Sequence, residues 1–302
     1  MFPHTLARRI PVNGVHLFVR LTEERARPPL LLLHGHPQTH AIWHRVWPAL
    51  AEHFTLIAPD LRGYGDSDKP PSDASLNHAP YSKREMARDV VELMRSLGYD
   101  RFRVLAHDRG ARVTHRLMLD HPEAVERATL LDIAPTLAMY EGTTMAFARA
   151  YWHWFFLIQR EPLPERLIEA DPDFYLERMM GSRHAGLAAF SPEALAEYRR
   201  CLRQPGIAHA ICEDYRAAAT IDLEHDRADR EAGRKLTQPL QVLWGAHGII
   251  ERCFDALALW REVANDVRGQ ALPCGHYIPE EAPEALLAAT LPFLLEGHVE
   301  AR

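Results

Sequence analysis

One five-residue run, Ala106-His107-Asp108-Arg109-Gly110, has the residue types and spacing to make and break a covalent bond. It follows an apolar run, Arg103–Ala106, and opens a stretch with helical periodicity. Small residues two places before and two after the centre tolerate a strained strand-to-helix elbow that raises one side chain above a sheet. That side chain is commonly a serine; in this chain it is the carboxylate of Asp108. A carboxylate so placed attacks carbon by SN2 displacement and leaves an ester on the enzyme. An aspartate at a helix start is also an ordinary N-cap, so the companions of Asp108 decide between the two readings.

The elbow resembles that of α/β-hydrolases, and three further segments fall where such proteins need them. His34-Gly35-His36-Pro37 follows the first parallel run, where a backbone N–H serves an oxyanion hole. The N–H groups of His36 and Arg109 are expected to hold the unreactive oxygen of Asp108 and then a tetrahedral intermediate. Asp60 to Ser67, with glycines at 63 and 65, fits the loop after the second parallel run. His276, in Pro273-Cys274-Gly275-His276, follows the last strand run and is expected to activate the water that hydrolyses the ester. The base needs an orienting acid. The loop after Leu240–Trp244 reads Gly245-Ala246-His247-Gly248 and offers no carboxylate, whereas Asp132 follows the run Ala128–Leu131. Asp132 is therefore the expected partner of His276, with Glu251 as the weaker alternative.

These residues must be positioned by a scaffold, and its pattern is legible. A hairpin over Arg9–Leu21 turns at Asn13-Gly14, a strong short-range signal. Apolar runs at Leu30–Leu33, Thr55–Ala58, Arg103–Ala106, Ala128–Leu131, Leu240–Trp244 and Gln270–Leu272 alternate with helical stretches. One of these stretches, Lys83 to Leu97, stops at Gly98. Alternation of this kind predicts an α/β fold with a mostly parallel sheet flanked by helices. Between about Thr136 and Gly233 the rhythm changes to helical periodicity, cut by Pro162, Pro164, Pro172 and Pro192. The expected organisation is a first core part at 1–135, an inserted helical cap at 136–233, and a second core part at 234–302.

Composition bounds the rest. A chain of 302 residues, 47% hydrophobic, can bury one large core with a smaller appendage. A net charge of −6 and no basic face argue against a nucleic-acid partner. The longest apolar stretch is far too short for a bilayer, and the first residues have no run suited to a signal peptide. Cys201, Cys212, Cys253 and Cys274 are widely spaced with no CxxC, as expected for free thiols in the cytoplasm. Nothing calls for a cofactor or a metal.

Beyond the elbow, the chain resembles the fluoroacetate (haloacetate) dehalogenases over nearly its whole length. The likeness is densest at His34–His40, His107–Val113, Leu131–Thr136, Tyr151–Leu157, Asp171–Tyr175, Glu213–Ala217 and Gly275–Ala282. The resemblance implies an α/β-hydrolase fold, a homodimer, a small haloacid as substrate, and hydrolysis of a 2-haloacetate to glycolate and halide. Arg109 and Arg112 lie three apart on one helix face, with Arg112 four residues from Asp108. In a haloacetate site they would clamp the substrate carboxylate through guanidinium forks. The resemblance alone gives His153, Trp154 and Tyr215 as donors to the departing halide. Two departures bear on substrate range: His36 stands where relatives carry an apolar aromatic, and Gly181-Ser182-Arg183-His184 lacks an expected tryptophan.

Three other readings are weighed. An epoxide hydrolase would share the Asp nucleophile and need two tyrosines, for which Tyr151 and Tyr215 are available, but paired arginines suit an anion better than a neutral epoxide. A non-catalytic receptor or scaffold on this fold usually lacks a member of the catalytic set, and here all three are present. A metal site from His34, His36, His40 and His44 has no carboxylate or thiolate converging on it.

Overall fold

A computed structural model describes residues 1–297. Eight strands form one sheet in the order β1-β2-β4-β3-β5-β6-β7-β8: β1 (Thr5–Val12), β2 (Val15–Thr22), β3 (Pro29–Leu33), β4 (Thr55–Pro59), β5 (Phe102–His107), β6 (Val125–Leu131), β7 (Leu240–Gly245) and β8 (Val267–Leu272). β1 and β2 form the hairpin, with Val12 paired to Val15 and positive φ at both Asn13 and Gly14. That is the turn in which Asn-Gly pays least in backbone strain. β2 joins β4 antiparallel, and from β4 to β8 the neighbours are parallel.

Side-chain alternation along the strands builds a core on each face of the sheet. Leu30 and Leu32 pack with Trp43, Trp47 and Leu286 on one side, while Leu31 and Leu33 pack with Ile57, Val90 and Ala106 on the other. Continuous apolar runs are what strands buried on both faces require. β8 is different: as the edge strand it exposes half of its residues, Arg268 and Gln270 among them, and fully buries only Leu272. Its apolar signal is correspondingly faint, and it starts at Val267, three residues before the run seen in the sequence.

The helix Lys83–Ser96 shows why local sequence fixes an element. The Ser82 hydroxyl accepts from the Glu85 N–H at 3.2 Å in a Ser-x-x-Glu cap, and Gly98 ends the helix with φ +89°. Between β6 and β7 the described chain is helical, from Thr136–Glu141 to Ile221–Glu231. Pro172 and Pro192 each open a helix at its first position, where the missing N–H costs nothing. No helix among the described residues is long and apolar enough to cross a membrane, and all four cysteines are unbonded.

Candidate active site

β5 delivers Asp108 to the first position of the helix Asp108–Asp120. Asp108 has φ +45°, a conformation a residue with a Cβ holds only when its surroundings impose it. The imposition comes from close backbone approach. A Cβ on Gly110 would fall 2.5 Å from the His34 carbonyl oxygen, and one on Gly35 would fall 2.5 Å from Asp108 Cβ. The Gly110 N–H in turn donates to His34 O at 2.9 Å, locking the loop after β3 onto the elbow.

That loop presents the His36 N–H to Asp108 Oδ2 at 3.0 Å, leaving Oδ1 the freer oxygen. The Arg109 N–H lies in the first helical turn, where backbone donors have no acceptor within the helix. Asp108 is 5% exposed. Burial alone would raise its pKa, but His276, His107, Arg112 and Arg109 together hold the carboxyl well below the usual range. The group is an ionised carboxylate in a nearly dry place.

His276, in the loop after β8, meets Asp132, at the end of β6, with Nδ1 and Oδ2 2.6 Å apart. Asp132 also has positive φ, +53°, and its Oδ1 accepts from the Gly245 N–H at 2.9 Å. Glu251 is engaged elsewhere, accepting from the Trp244 indole N–H. His107, singled out in the sequence only as a neighbour of Asp108, turns out to hold the backbone of His276: its Nε2–H donates to the His276 carbonyl at 2.8 Å. Burial pushes the His107 pKa down to about 4, so the ring is neutral.

The two arginines differ. Arg109 is held in a bidentate ion pair by Asp214, with Nε to Oδ2 at 2.9 Å and Nη2 to Oδ1 at 2.7 Å. Asp214 also binds Lys83 and accepts from the Tyr64 hydroxyl at 2.6 Å. Arg112 donates only to neutral groups, Thr136 Oγ1 at 2.9 Å and the Ala134 carbonyl at 3.2 Å, and lies 4.6 Å over the Trp154 ring. Among the described residues no carboxylate lies within 4.0 Å of its guanidinium. Arg112 is 3% exposed; burial lowers its pKa, and the charge of Asp108, beyond ion-pair distance, offsets this only in part.

The helical segment supplies donors in the same condition. Trp154 Nε1, Tyr215 Oη, Tyr151 Oη and His153 Nδ1 are all buried without a hydrogen-bond partner. They sit together: the Tyr215 ring lies 5.8 Å from His153 and 4.0 Å from the Arg109 guanidinium, and Tyr151 lies 5.2 Å from His153. Burial drives the His153 pKa well below its ordinary value, so the ring carries one N–H rather than a charge. Buried donors left unpaired are rare in native proteins and point to a missing guest.

Residues the sequence reading passed over now take places. Asp214 anchors Arg109; its only signal was membership of the Glu213–Ala217 segment. Tyr175 shares a hydrogen bond with His36 Nε2 at 3.0 Å, and burial pushes the His36 pKa down to about 3, so the departure at this position is a neutral ring. Gln38, two residues on, donates to the buried carboxyl of Glu280. The histidines of the metal reading point to separate partners: His34 to Gly35 O and the Leu61 N–H, His40 to Asp60, His44 to Ala41 O. A cavity of about 690 Å³ has His276, Gly275 and Tyr175 in its wall.

Comparison with known proteins agrees with the fold. Residues 28–283 match the family described as alpha/beta hydrolase fold. A solved structure from Nostoc sp PCC 7120, described as an alpha/beta hydrolase, shares 53% identity, covers 98% of this chain and 100% of its own, and superposes with a TM-score of 0.94. A Burkholderia sp fluoroacetate dehalogenase is 45% identical over 90% of this chain and 88% of its own. A soluble epoxide hydrolase from Corynebacterium sp. (strain C12) is 38% identical over 88% and 89%. The chain belongs to the α/β-hydrolase superfamily and, within it, to the fluoroacetate (haloacetate) dehalogenase family. It is a hydrolytic enzyme.

Proposed function

We propose that the chain hydrolyses 2-haloacetates to glycolate and halide. The observation that carries this reading is Arg112: a buried guanidinium with no carboxylate partner, one helical turn from an ionised Asp108. Asp108 compensates that cation only from beyond ion-pair distance; a substrate carboxylate would satisfy it directly with charge-assisted bonds, which a neutral substrate cannot form. Arg109, fixed by Asp214, adds positive potential on the same side and tempers the approach of one anion to another.

In this scheme Asp108 Oδ1 attacks the halogen-bearing carbon, a C–O bond forms, and the C–X bond breaks. The halide leaves toward Trp154 Nε1, Tyr215 Oη and His153, donors already in place for the developing charge. His276, held by Asp132, then takes a proton from water as its oxygen adds to the ester carbonyl. The N–H groups of His36 and Arg109 hold the resulting oxyanion; on collapse the ester C–O bond breaks, the departing glycolate oxygen takes the proton from His276, and Asp108 returns to its carboxylate with release of one proton. The segment 136–233 acts as the cap that keeps bulk water out.

Epoxide hydrolysis is the second reading, favoured by one observation: the hydroxyls of Tyr151 and Tyr215 are both buried and unpartnered, as protonation of an epoxide oxygen requires. Halide release from fluoroacetate and chloroacetate, run beside diol formation from a small neutral epoxide, separates the two. Release from the haloacetates is expected; turnover of the epoxide alone would overturn the proposal.

A further inference from the structure

We infer that Arg183 binds a second anionic group of the substrate, extending the acids taken by this site to 2-halo dicarboxylates of four or more carbons. The inference rests on the haloacid reading above and deepens it. Arg183 lies in the wall of the 690 Å³ cavity beside His276. Its guanidinium sits 4.7 Å over the ring of Tyr151, which is itself 2% exposed, so the cation is held in place. Among the described residues no carboxylate lies within 4.0 Å of it.

The rest of the wall has the same sign. Arg149, Arg178 and Arg252 line it with His184 and His247, whose rings stack at 4.4 Å, against the single carboxylate of Asp171. That carboxylate caps a helix, accepting from the Phe174 N–H at 2.9 Å. In a chain of net charge −6 this concentration of cations is not a reflection of composition. Fixed positive charge in a cleft attracts and orients anions.

Arg112 and Arg183 form a pair of receptors. Arg112 lies on the Trp154 ring, Arg183 on the Tyr151 ring, and the two rings are 5.9 Å apart. A haloacetate, with one carboxylate, engages Arg112 and leaves Arg183 without a carboxylate. A 2-halo diacid places its reacting end at Asp108 and Arg112 and its far carboxylate at Arg183. Guanidinium forks match carboxylates in two hydrogen bonds, which gives the second contact direction as well as affinity.

Titration calorimetry with acetate and succinate, neither carrying a leaving group, measures the second contact without turnover. Wild type should bind succinate about ten- to a hundred-fold tighter than acetate, the worth of one charge-assisted contact. Arg183→Met should collapse that ratio toward one, and Arg183→Lys should retain part of it. Wild type should also release chloride from 2-chlorosuccinate. Equal affinity for the two anions, a ratio that survives Arg183→Met, or no release from 2-chlorosuccinate where chloroacetate is turned over would each overturn the inference. Failure on chloroacetate itself would overturn the haloacid reading, while the succinate-to-acetate ratio would still decide the role of Arg183.

Discussion

The sheet side and the helical side of the site are built on opposite terms. At the strand ends the reacting candidates are tied to one another: both oxygens of Asp132 accept hydrogen bonds, His276 is held by Asp132 and His107, and Asp108 has its His36 donor, while His36 Nδ1 and His107 Nδ1 beside them have no partner. On the helical side Tyr151, His153, Trp154 and Tyr215 keep buried polar atoms with no partner. Each such atom costs roughly 1–3 kcal/mol when left unpaired, and here four of them are gathered in one place. On the proposed scheme the sheet supplies the bond-making groups, already tied together, and the helices supply a binding surface completed by the substrate. Arg109 and Arg112 repeat the contrast on a single helix, one paired and one waiting.

Four experiments would break or sharpen this comparison. The largest effect belongs to the sheet side. Asp108→Asn, nearly isosteric, should lower halide release on the order of 10⁴-fold or more with little change in unfolding temperature. His276→Gln should instead accumulate an ester on Asp108, visible as added mass on the intact protein. Substantial turnover by Asp108→Asn would remove the nucleophile from the scheme.

The arginine pair comes next. Arg112→Leu should raise KM for chloroacetate about 10- to 100-fold, since it deletes a charge-assisted contact, and should leave the fold intact because it removes an unpaired cation. Asp214→Asn should do the reverse. It strands Arg109 and Lys83, and chemical denaturation should show a loss of about 3–5 kcal/mol. Similar behaviour of the two variants would erase the distinction.

Third, Trp154→Phe or Tyr215→Phe should slow defluorination about 10²-fold and dechlorination by less, because fluoride leaves with the more concentrated charge. Equal losses for both halides would reduce these rings to packing. The smallest effect concerns Glu280, whose carboxyl accepts from Gln38 and from the Tyr198 hydroxyl at 3.1 Å. Burial outweighs those bonds and raises its pKa from 4.5 to about 8. A raised folded-state pKa stabilises fully below the unfolded value, and the contribution is lost as pH climbs through the folded one. Stability of the wild type should therefore fall as pH rises between about pH 5 and pH 8.5, with this group contributing to the slope. Glu280→Gln should flatten that slope; an unchanged slope would clear Glu280 of the effect.

Strand interiors and helix ends were legible because their causes are local. Leu30 to Leu33 cannot be hidden except between two layers, and Ser82, Glu85 and Gly98 carry their own start and stop. Asp132 was found by elimination, since the loop Gly245–Gly248 has no acid to offer. The condition of each polar group was not legible. Arg109 and Arg112 look alike in sequence, and what separates them is Asp214, 105 residues away. Arg183 could be read only as a missing tryptophan, because the lack of a counter-ion is a property of three-dimensional neighbours. The edge strand β8 was underread for the opposite reason: half in solvent, it has little pattern to show.

The attachment of Asp132 has a consequence for how such a protein can change. Asp132 belongs to the chain before the helical segment, while Gly245 and His276, both bonded to it, belong to the chain after it. Asp132 thus bridges the two ends of an interruption of nearly a hundred residues, and does so with contacts made at the strand ends. Rewriting the interruption leaves that bridge in place. Recombination or drift in the helices can therefore alter what the enzyme accepts while the hydrolytic engine is inherited unbroken.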